Sequence, residues 1–265
     1  MSGASPKWKV LISAPYMQRE IHRFRERLRV EGVEVAVPPV QERMSEEELL
    51  PWIQDIDGII CGDDRLTERV LRQARRLKVI SKWGTGIDSI DRAAAEKLGI
   101  AVRNTPNAFS EPVADTVMGF ILCFARQLPW ADEDIRSGLW TKRPSDSLRE
   151  RTLGIIGVGN VGRAVARRAA AFGMKILGHD VVEIPAEILG QTGLRSVPRE
   201  ELLGEADYVS LNCDLNPSSH HLMGRREFSL MKPSAVVVNT SRGPIVDEPA
   251  LIEALREKRI GGAEM

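Results

Sequence analysis

Gly157-Val158-Gly159-Asn160-Val161-Gly162 sets three glycines at G-x-G-x-x-G spacing, the pattern with which a strand turns into a helix around a pyrophosphate. The flanks agree. Leu153–Ile156 reads as the preceding strand, and Val161, Val165, Ala169 and Phe172 keep helical spacing up to Gly173. The next apolar run ends at His179-Asp180, and Asp180 follows Gly162 at about the 20-residue spacing of a ribose-binding acid. Each residue type has a task. Gly157 permits the tight turn, Gly159 lets the backbone approach a pyrophosphate, and Gly162 lets helix and strand pack closely. The helix start at Asn160 and Val161 offers unpaired N–H groups and a favourable dipole to phosphate charge. Asp180 can accept from both ribose hydroxyls and would repel a 2′-phosphate, and Val181-Val182-Glu183 brings no arginine. NAD is therefore favoured over NADP. The bland alternative is a tight turn with no ligand.

Two further constellations could do chemistry. Strand Ala235–Asn239 runs into Thr240-Ser241-Arg242-Gly243-Pro244. Ligands of open α/β sheets bind beyond the carboxyl ends of strands, and an arginine there can grip a carboxylate through two parallel hydrogen bonds. A surface arginine in a loop fits the position equally well. Trp83-Gly84-Thr85-Gly86-Ile87-Asp88 also closes a strand. Its glycines allow successive N–H groups to face one concavity, a possible anion nest with Lys82 beside it. A simple tight turn is the other reading.

The elements that must position these residues alternate along the chain. Strands are expected at Trp8–Ser13, Val33–Val37, Gly58–Cys61, Lys78–Ser81 and near Ile100–Val102, with helices at Arg19–Glu31, Ser45–Ile53 and Leu66–Arg75. Ser45 and Glu48 have the form of a capping box, and Gly32 is placed to stop a helix. The turn formers Asn104-Thr105-Pro106-Asn107 mark a boundary. A long apolar helix, Glu111–Leu128, follows. The width of its apolar face suggests burial between domains or subunits. Beyond Arg151, strands are expected at Leu153–Ile156, Lys175–His179, Tyr208–Asn212 and Ala235–Asn239. Helices are expected at Val161–Phe172, Arg199–Leu203, Arg226–Leu230 and Glu248–Lys258. Such alternation builds parallel sheets covered by helices.

Composition narrows the classes. The 265 residues are 43% hydrophobic and 28% charged, as in a globular protein rather than a disordered one. Lys+Arg and Asp+Glu are both 37, so the basic excess of a nucleic-acid binder is missing. The arginine runs Arg19–Arg29 and Arg163–Arg168 read as solvated helix faces. The longest strongly apolar run, Thr116–Ala125, is about half a bilayer span. Three scattered cysteines, Cys61, Cys123 and Cys213, suit a reducing cytoplasm and argue against a disulfide framework or a metal site.

Four ordered motifs resemble one family, the D-isomer-specific 2-hydroxyacid dehydrogenases, nearest their phosphoglycerate-dehydrogenase-like branch. They are Gly84–Asp88, Asn104-Thr105-Pro106 leading to Val113-Ala114-Asp115, the Gly157–Gly162 fingerprint with Asp180, and Asn239–Gly243. The resemblance implies an α/β protein of two Rossmann-like domains with parallel sheets. A flavodoxin-like substrate domain would occupy 1–102 and an NAD-binding domain 103–265, with the cofactor in the cleft between them. The implied reaction moves a hydride between nicotinamide and C2 of a 2-oxo or 2-hydroxy acid. Arg242 would grip the substrate, helped by the backbone of Gly84, Thr85, Gly86 and Ile87; Lys82, from its place beside that loop, is a further substrate-binding candidate. Thr116, Thr240 and Ser241 would lie near the nicotinamide, and Cys213 would line the cofactor cleft. A homodimer through the Glu111–Leu128 helix is also implied. Neither membrane nor nucleic acid enters this reading.

Two departures qualify it. Asp115 stands where the family usually has Glu. The strand begun at Ile260 stops at Met265, before the family's Asp, Glu and catalytic His, which would leave both domains incomplete. The expectation is a piece of a longer enzyme, severely impaired as it stands; the rival is an impaired NAD-binding dimer or regulator. The four histidines, His22, His179, His220 and His221, read as structural and not as substitutes. A different Rossmann enzyme such as a methyltransferase is disfavoured by the Asn239–Gly243 motif.

Overall fold

Runs of β-branched and aliphatic residues set the strands, and the structure, a computed structural model, describes residues 7–265. The chain divides into two compact units between Ala108 and Phe109.

The first unit holds β1 (Trp8–Ile12), β2 (Val33–Ala36), β3 (Gly58–Cys61), β4 (Val79–Lys82) and β5 (Ala101–Arg103). All pair in parallel, in the order β2-β1-β3-β4-β5. This is the flavodoxin-like order, with its switch point between β1 and β3. The helices are α1 (Pro15–Glu20), α2 (Arg25–Val30), α3 (Glu46–Ile53), α4 (Glu68–Gln73) and α5 (Arg92–Lys97). Leu11, Ile59 and Ile80 pack with Leu49, Ile53 and Leu71 on one side of the sheet, and Ile12 packs with Met17 and Ile21 on the other. Burial on both faces is why these strands read as continuous apolar runs. Ser45 caps α3 reciprocally: the Glu48 carboxylate accepts from Ser45 N–H at 2.8 Å, and Ser45 Oγ accepts from Glu48 N–H at 3.3 Å.

The second unit opens with α6 (Ser110–Arg126) and α7 (Leu128–Arg136). Its strands are β6 (Thr152–Ile156), β7 (Lys175–His179), β8 (Arg195–Ser196), β9 (Tyr208–Leu211), β10 (Val236–Asn239) and β11 (Gly262–Glu264). They are parallel in the order β11-β10-β9-β6-β7-β8. Read from β8, this is the 3-2-1-4-5-6 order of a dinucleotide-binding sheet, whose crevice opens between β6 and β9. The covering helices are α8 (Asn160–Ala171), α9 (Ala186–Thr192), α10 (Arg199–Glu205), α11 (Arg225–Leu230) and α12 (Glu248–Arg256).

The expected Glu111–Leu128 helix is two helices. α6 ends at Arg126, Gln127 adopts the left-handed conformation (φ 55°), and Pro129 helps start α7. Proline suits a first helical turn because the N–H it lacks would have no partner there. The width of α6's apolar face also has a local explanation. Val117, Met118 and Ile121 are buried in this unit's own core beside Val165 and Val238, with Phe120 and Phe124 packed against it. The Arg163–Arg168 run is not uniformly solvated either. Arg168 donates to Asp115 Oδ1 and Glu111 Oε2, both at 2.7 Å, tying α8 to α6. α5, α7, α9 and β8 had no counterpart among the expected elements.

Candidate functional site

The fingerprint turn is braced from the end of β7. Gly157 donates its N–H to the His179 carbonyl at 2.9 Å, and Val158 donates to Asp180 Oδ2 at 2.6 Å. Val182 donates to the other Asp180 oxygen at 3.2 Å. Asp180 thus holds the turn open, and a carboxylate with about four acceptor positions keeps room for ribose hydroxyls.

The glycines fit a bound dinucleotide. Gly157 has φ +87°, and a Cβ there would stand 2.7 Å from the Cys213 nitrogen. A Cβ on Gly162 would come within 2.1 Å of the Gly157 carbonyl oxygen. Gly159 differs: its Cβ would meet nothing within 4 Å. The space over Gly159 is therefore open, where a pyrophosphate needs close access to backbone. Among the described residues, the N–H groups of Gly159, Asn160, Val161 and Gly162 donate to no protein acceptor. They form the positive end of the twelve-residue helix α8.

The carboxyl ends of β9 and β10 add the rest of this edge. Cys213 is half-buried, and burial pushes its thiol above the ordinary cysteine range. Asn239 organises the turn after β10. Its Nδ2 donates to the Arg242 carbonyl at 2.8 Å, and its Oδ1 accepts from Ser241 N–H at 3.1 Å and Ser241 Oγ at 2.8 Å. The half-buried Arg242 side chain donates from Nη1 to the Ser241 carbonyl at 2.9 Å. Thr240 Oγ1 is buried without a hydrogen-bond partner, and an orphaned hydroxyl of this kind is a group that a ligand can satisfy. Thr116 lies exposed on α6, donating to the Pro112 carbonyl at 3.0 Å.

In the first unit, the Gly84–Ile87 loop is pinned by its carbonyls. Thr105 N–H donates to the Gly84 carbonyl at 3.0 Å, and Asn104 Nδ2 donates to the Thr85 carbonyl at 2.7 Å. Thr85 Oγ1 donates back to the Thr105 carbonyl at 3.2 Å. Among the described residues, the N–H groups of Gly84, Thr85, Gly86 and Ile87 donate to no protein acceptor. The loop is thus a set of uncommitted donors on a fixed frame. Lys82 is different from its expected role. It is buried, and its ammonium donates to the Gly62 carbonyl at 2.6 Å and pairs closely with Asp63. Its charge is already answered inside the unit.

The histidines are otherwise engaged. His22 Nδ1 lies 3.2 Å from the Arg19 carbonyl and His179 Nδ1 3.2 Å from the Val197 carbonyl. His220 and His221 are exposed and stacked, with ring centroids 3.9 Å apart. Two open cavities, of about 270 and 480 Å³, sit at the amino edge of the first sheet around Trp8, Asp57, Arg75 and Lys78. That edge lies opposite the loops just described, and its Arg76 is already held by Asp57. The motifs alone assign Asn104 and Asn239 no role. An asparagine at a strand end followed by turn formers is the signal that points to a loop-holding side chain.

A sheet of this order, with such a turn and an acid at the next strand end, defines a dinucleotide-binding α/β protein. Residues 118–265 match the family model described as D-isomer specific 2-hydroxyacid dehydrogenase, NAD binding domain, and the chain belongs to that family. It is 38% identical over 261 residues to a D-3-phosphoglycerate dehydrogenase of Methanocaldococcus jannaschii, covering 97% of this chain and 48% of that protein. It is 36% identical over 267 residues to a glyoxylate reductase of Thermococcus onnurineus, covering 97% and 78%. Among solved structures, a D-lactate dehydrogenase of Aquifex aeolicus, complexed with NAD and lactic acid, superposes with a TM-score of 0.87 at 28% identity, covering 96% of this chain and 75% of that one. The chain spans about half the length of the phosphoglycerate dehydrogenase it matches. Among the described residues, no helix is long and apolar enough to cross a membrane.

Proposed function

We propose that this protein is an NAD-dependent oxidoreductase acting on a short 2-oxo or 2-hydroxy acid. The observation that carries the reading is the Gly84–Ile87 loop: its Gly84 and Thr85 carbonyls are occupied and the N–H groups of its four residues uncommitted, the arrangement a carboxylate requires. Family membership supplies the reaction class.

When bound, NAD exchanges a hydride with C2 of the acid. The chain's own residues bind and orient. The amides of Gly159, Asn160 and Val161 at the α8 N-terminus take the pyrophosphate. Asp180 accepts from the ribose hydroxyls. A 2′-phosphate would meet the Asp180 carboxylate, and the exposed Val181 and Val182 beside it offer no compensating charge; this supports NAD over NADP. Thr240, Ser241 and Cys213 border the nicotinamide end, and Thr116 joins them in this reading. Arg242 grips the carboxylate and polarises the carbonyl at C2, where negative charge develops during reduction. In the first unit, the uncommitted amides of Gly84, Thr85, Gly86 and Ile87 suit a carboxylate as well. Lys82 acts beneath that loop rather than on the substrate. None of the four histidines carries the proton step.

The test is NADH titration followed by NADH oxidation with glyoxylate, pyruvate and hydroxypyruvate. Slow turnover with at least one acid, the C2 oxygen taking its proton from water, lost in Arg242→Ala while NADH still binds, is the expected result. NADH binding with no turnover of any acid would favour an NAD-binding role without catalysis. Retained turnover in Arg242→Ala would remove Arg242 from the mechanism.

A further inference from the structure

Three arginines project from α8, and two of them are answered by α6. Arg167 pairs with Glu111, and Arg168 with Glu111 and Asp115. Arg163 stands one turn nearer the fingerprint and differs from both. Its N–H donates to the Gly159 carbonyl at 2.9 Å, one helical turn away, so it shares the face that Gly159 leaves open. A helical side chain leans toward the N-terminus of its helix. The half-buried Arg163 does so, and its Nε donates to the Val158 carbonyl at 3.0 Å. Among the described residues, no carboxylate pairs with Arg163 and its Nη groups have no protein acceptor.

Val158 is therefore held from two sides. Asp180 Oδ2 accepts its N–H at 2.6 Å, and Arg163 donates to its carbonyl. Anchoring through Nε fixes the guanidinium beside the turn and leaves its outer donors unused. Each phosphate of a dinucleotide brings a negative charge, whereas a helix N-terminus supplies only about half a positive one. A guanidinium is a planar fork of donors matched to phosphate oxygens. The space over Gly159, open for 4 Å around a Cβ, admits the phosphates between this fork and the free α8 amides. We propose that Arg163 is a further cofactor-binding residue, its Nη groups pairing with the pyrophosphate. The proposal rests on the NAD reading of the fingerprint.

The experiment compares wild type with Arg163→Gln, which removes the charge, and Arg163→Lys, which keeps it without the fork. Calorimetry gives the Kd for NADH and for ADP-ribose, and ligand-observed NMR gives that for adenosine. In Arg163→Gln, NADH and ADP-ribose should bind about tenfold more weakly. Adenosine, which lacks the pyrophosphate, should bind as it does to wild type. Arg163→Lys should recover about threefold of the loss, because a point charge remains. Added salt should weaken NADH more in wild type than in Arg163→Gln, since it screens the charge pair. NADH affinity in Arg163→Gln within about twofold of wild type overturns the proposal. So does an equal loss for adenosine, or the same loss in Arg163→Lys as in Arg163→Gln. Either would mean that the bond to Val158, and not the charge, is what matters. If NADH does not bind wild type, the NAD reading itself fails, a result separate from any difference between the variants.

Discussion

Asn104 donates its side-chain N–H to the Thr85 carbonyl at 2.7 Å across 19 residues of chain. Together with the Thr105–Gly84 bond, it makes the strand β5 exit the frame on which the glycine loop hangs. One hydrogen bond of this kind contributes about 1 kcal/mol, or roughly fivefold in affinity. Asn104→Ala should raise the Kd for an acid such as oxalate about fivefold. Asn104→Asp, which sets a carboxylate oxygen against the Thr85 carbonyl, should do worse. Acid affinity equal to wild type in both variants would deny Asn104 this positioning role.

Gly159 and Gly162 should separate binding from folding. A Cβ at 162 would strike the Gly157 carbonyl at 2.1 Å, and backbone cannot yield as a flexible side chain can. Gly162→Ala should therefore destabilise by about 2–4 kcal/mol. In a unit of this size that lowers the melting temperature by roughly 5–15 °C. Gly159→Ala meets open space and should melt within about 0.5 kcal/mol of wild type. It should nevertheless weaken NADH at least tenfold, because the methyl enters the pyrophosphate's approach. Thermal melts and NADH titration of both variants decide the matter; wild-type NADH affinity in Gly159→Ala would move the pyrophosphate elsewhere.

Asp180 both braces the turn and reads the ribose, so its removal should show two effects. Hydrogen bonds to a charged group contribute about 1.5–3 kcal/mol each. Asp180→Ala should raise the NADH Kd at least tenfold and narrow the preference for NADH over NADPH. An unaltered preference, measured by fluorescence titration of both nucleotides, would exclude Asp180 as the discriminating group.

Asp57 makes the first unit sensitive to acid. Burial alone would push its carboxyl up. The Lys9 N–H at 2.9 Å and the Arg76 guanidinium, with Lys78 nearby, outweigh burial and hold it below the usual carboxylate value. A group whose folded pKa is depressed contributes stability above its unfolded pKa of about 3.9 and loses it as pH falls through the lower folded value. Asp57→Asn should therefore cost about 1–3 kcal/mol at pH 7 and flatten the stability curve below about pH 4. Urea midpoints from pH 7 down to pH 3 test this, and a parallel displacement of the whole curve would refute it.

The parts of the fold legible in the sequence were those with short-range rules. The strand ends at Cys61, His179 and Asn239 follow from apolar runs closed by turn formers. The Ser45–Glu48 cap spans one helical turn. The α6–α7 break was missed because the apolar pattern runs on through Gln127, and Pro129 alone marked the restart. α5 and α9 are six and seven residues long, about two turns, over which a 3.6-residue period repeats too few times to be decisive.

The glycine spacing, the acid near position 180 and the βα alternation were determined by the sequence alone. Their physics acts within one strand, one turn and one helix. The tertiary structure decided which charges answer one another. Lys82 sits opposite Cys61 in the β3–β4 register, so its ammonium reaches Gly62 and Asp63. Arg168 finds Asp115 and Glu111 only because α8 lies against α6. No local pattern encodes such pairings. They depend on strand register and helix packing, which the whole core sets at once.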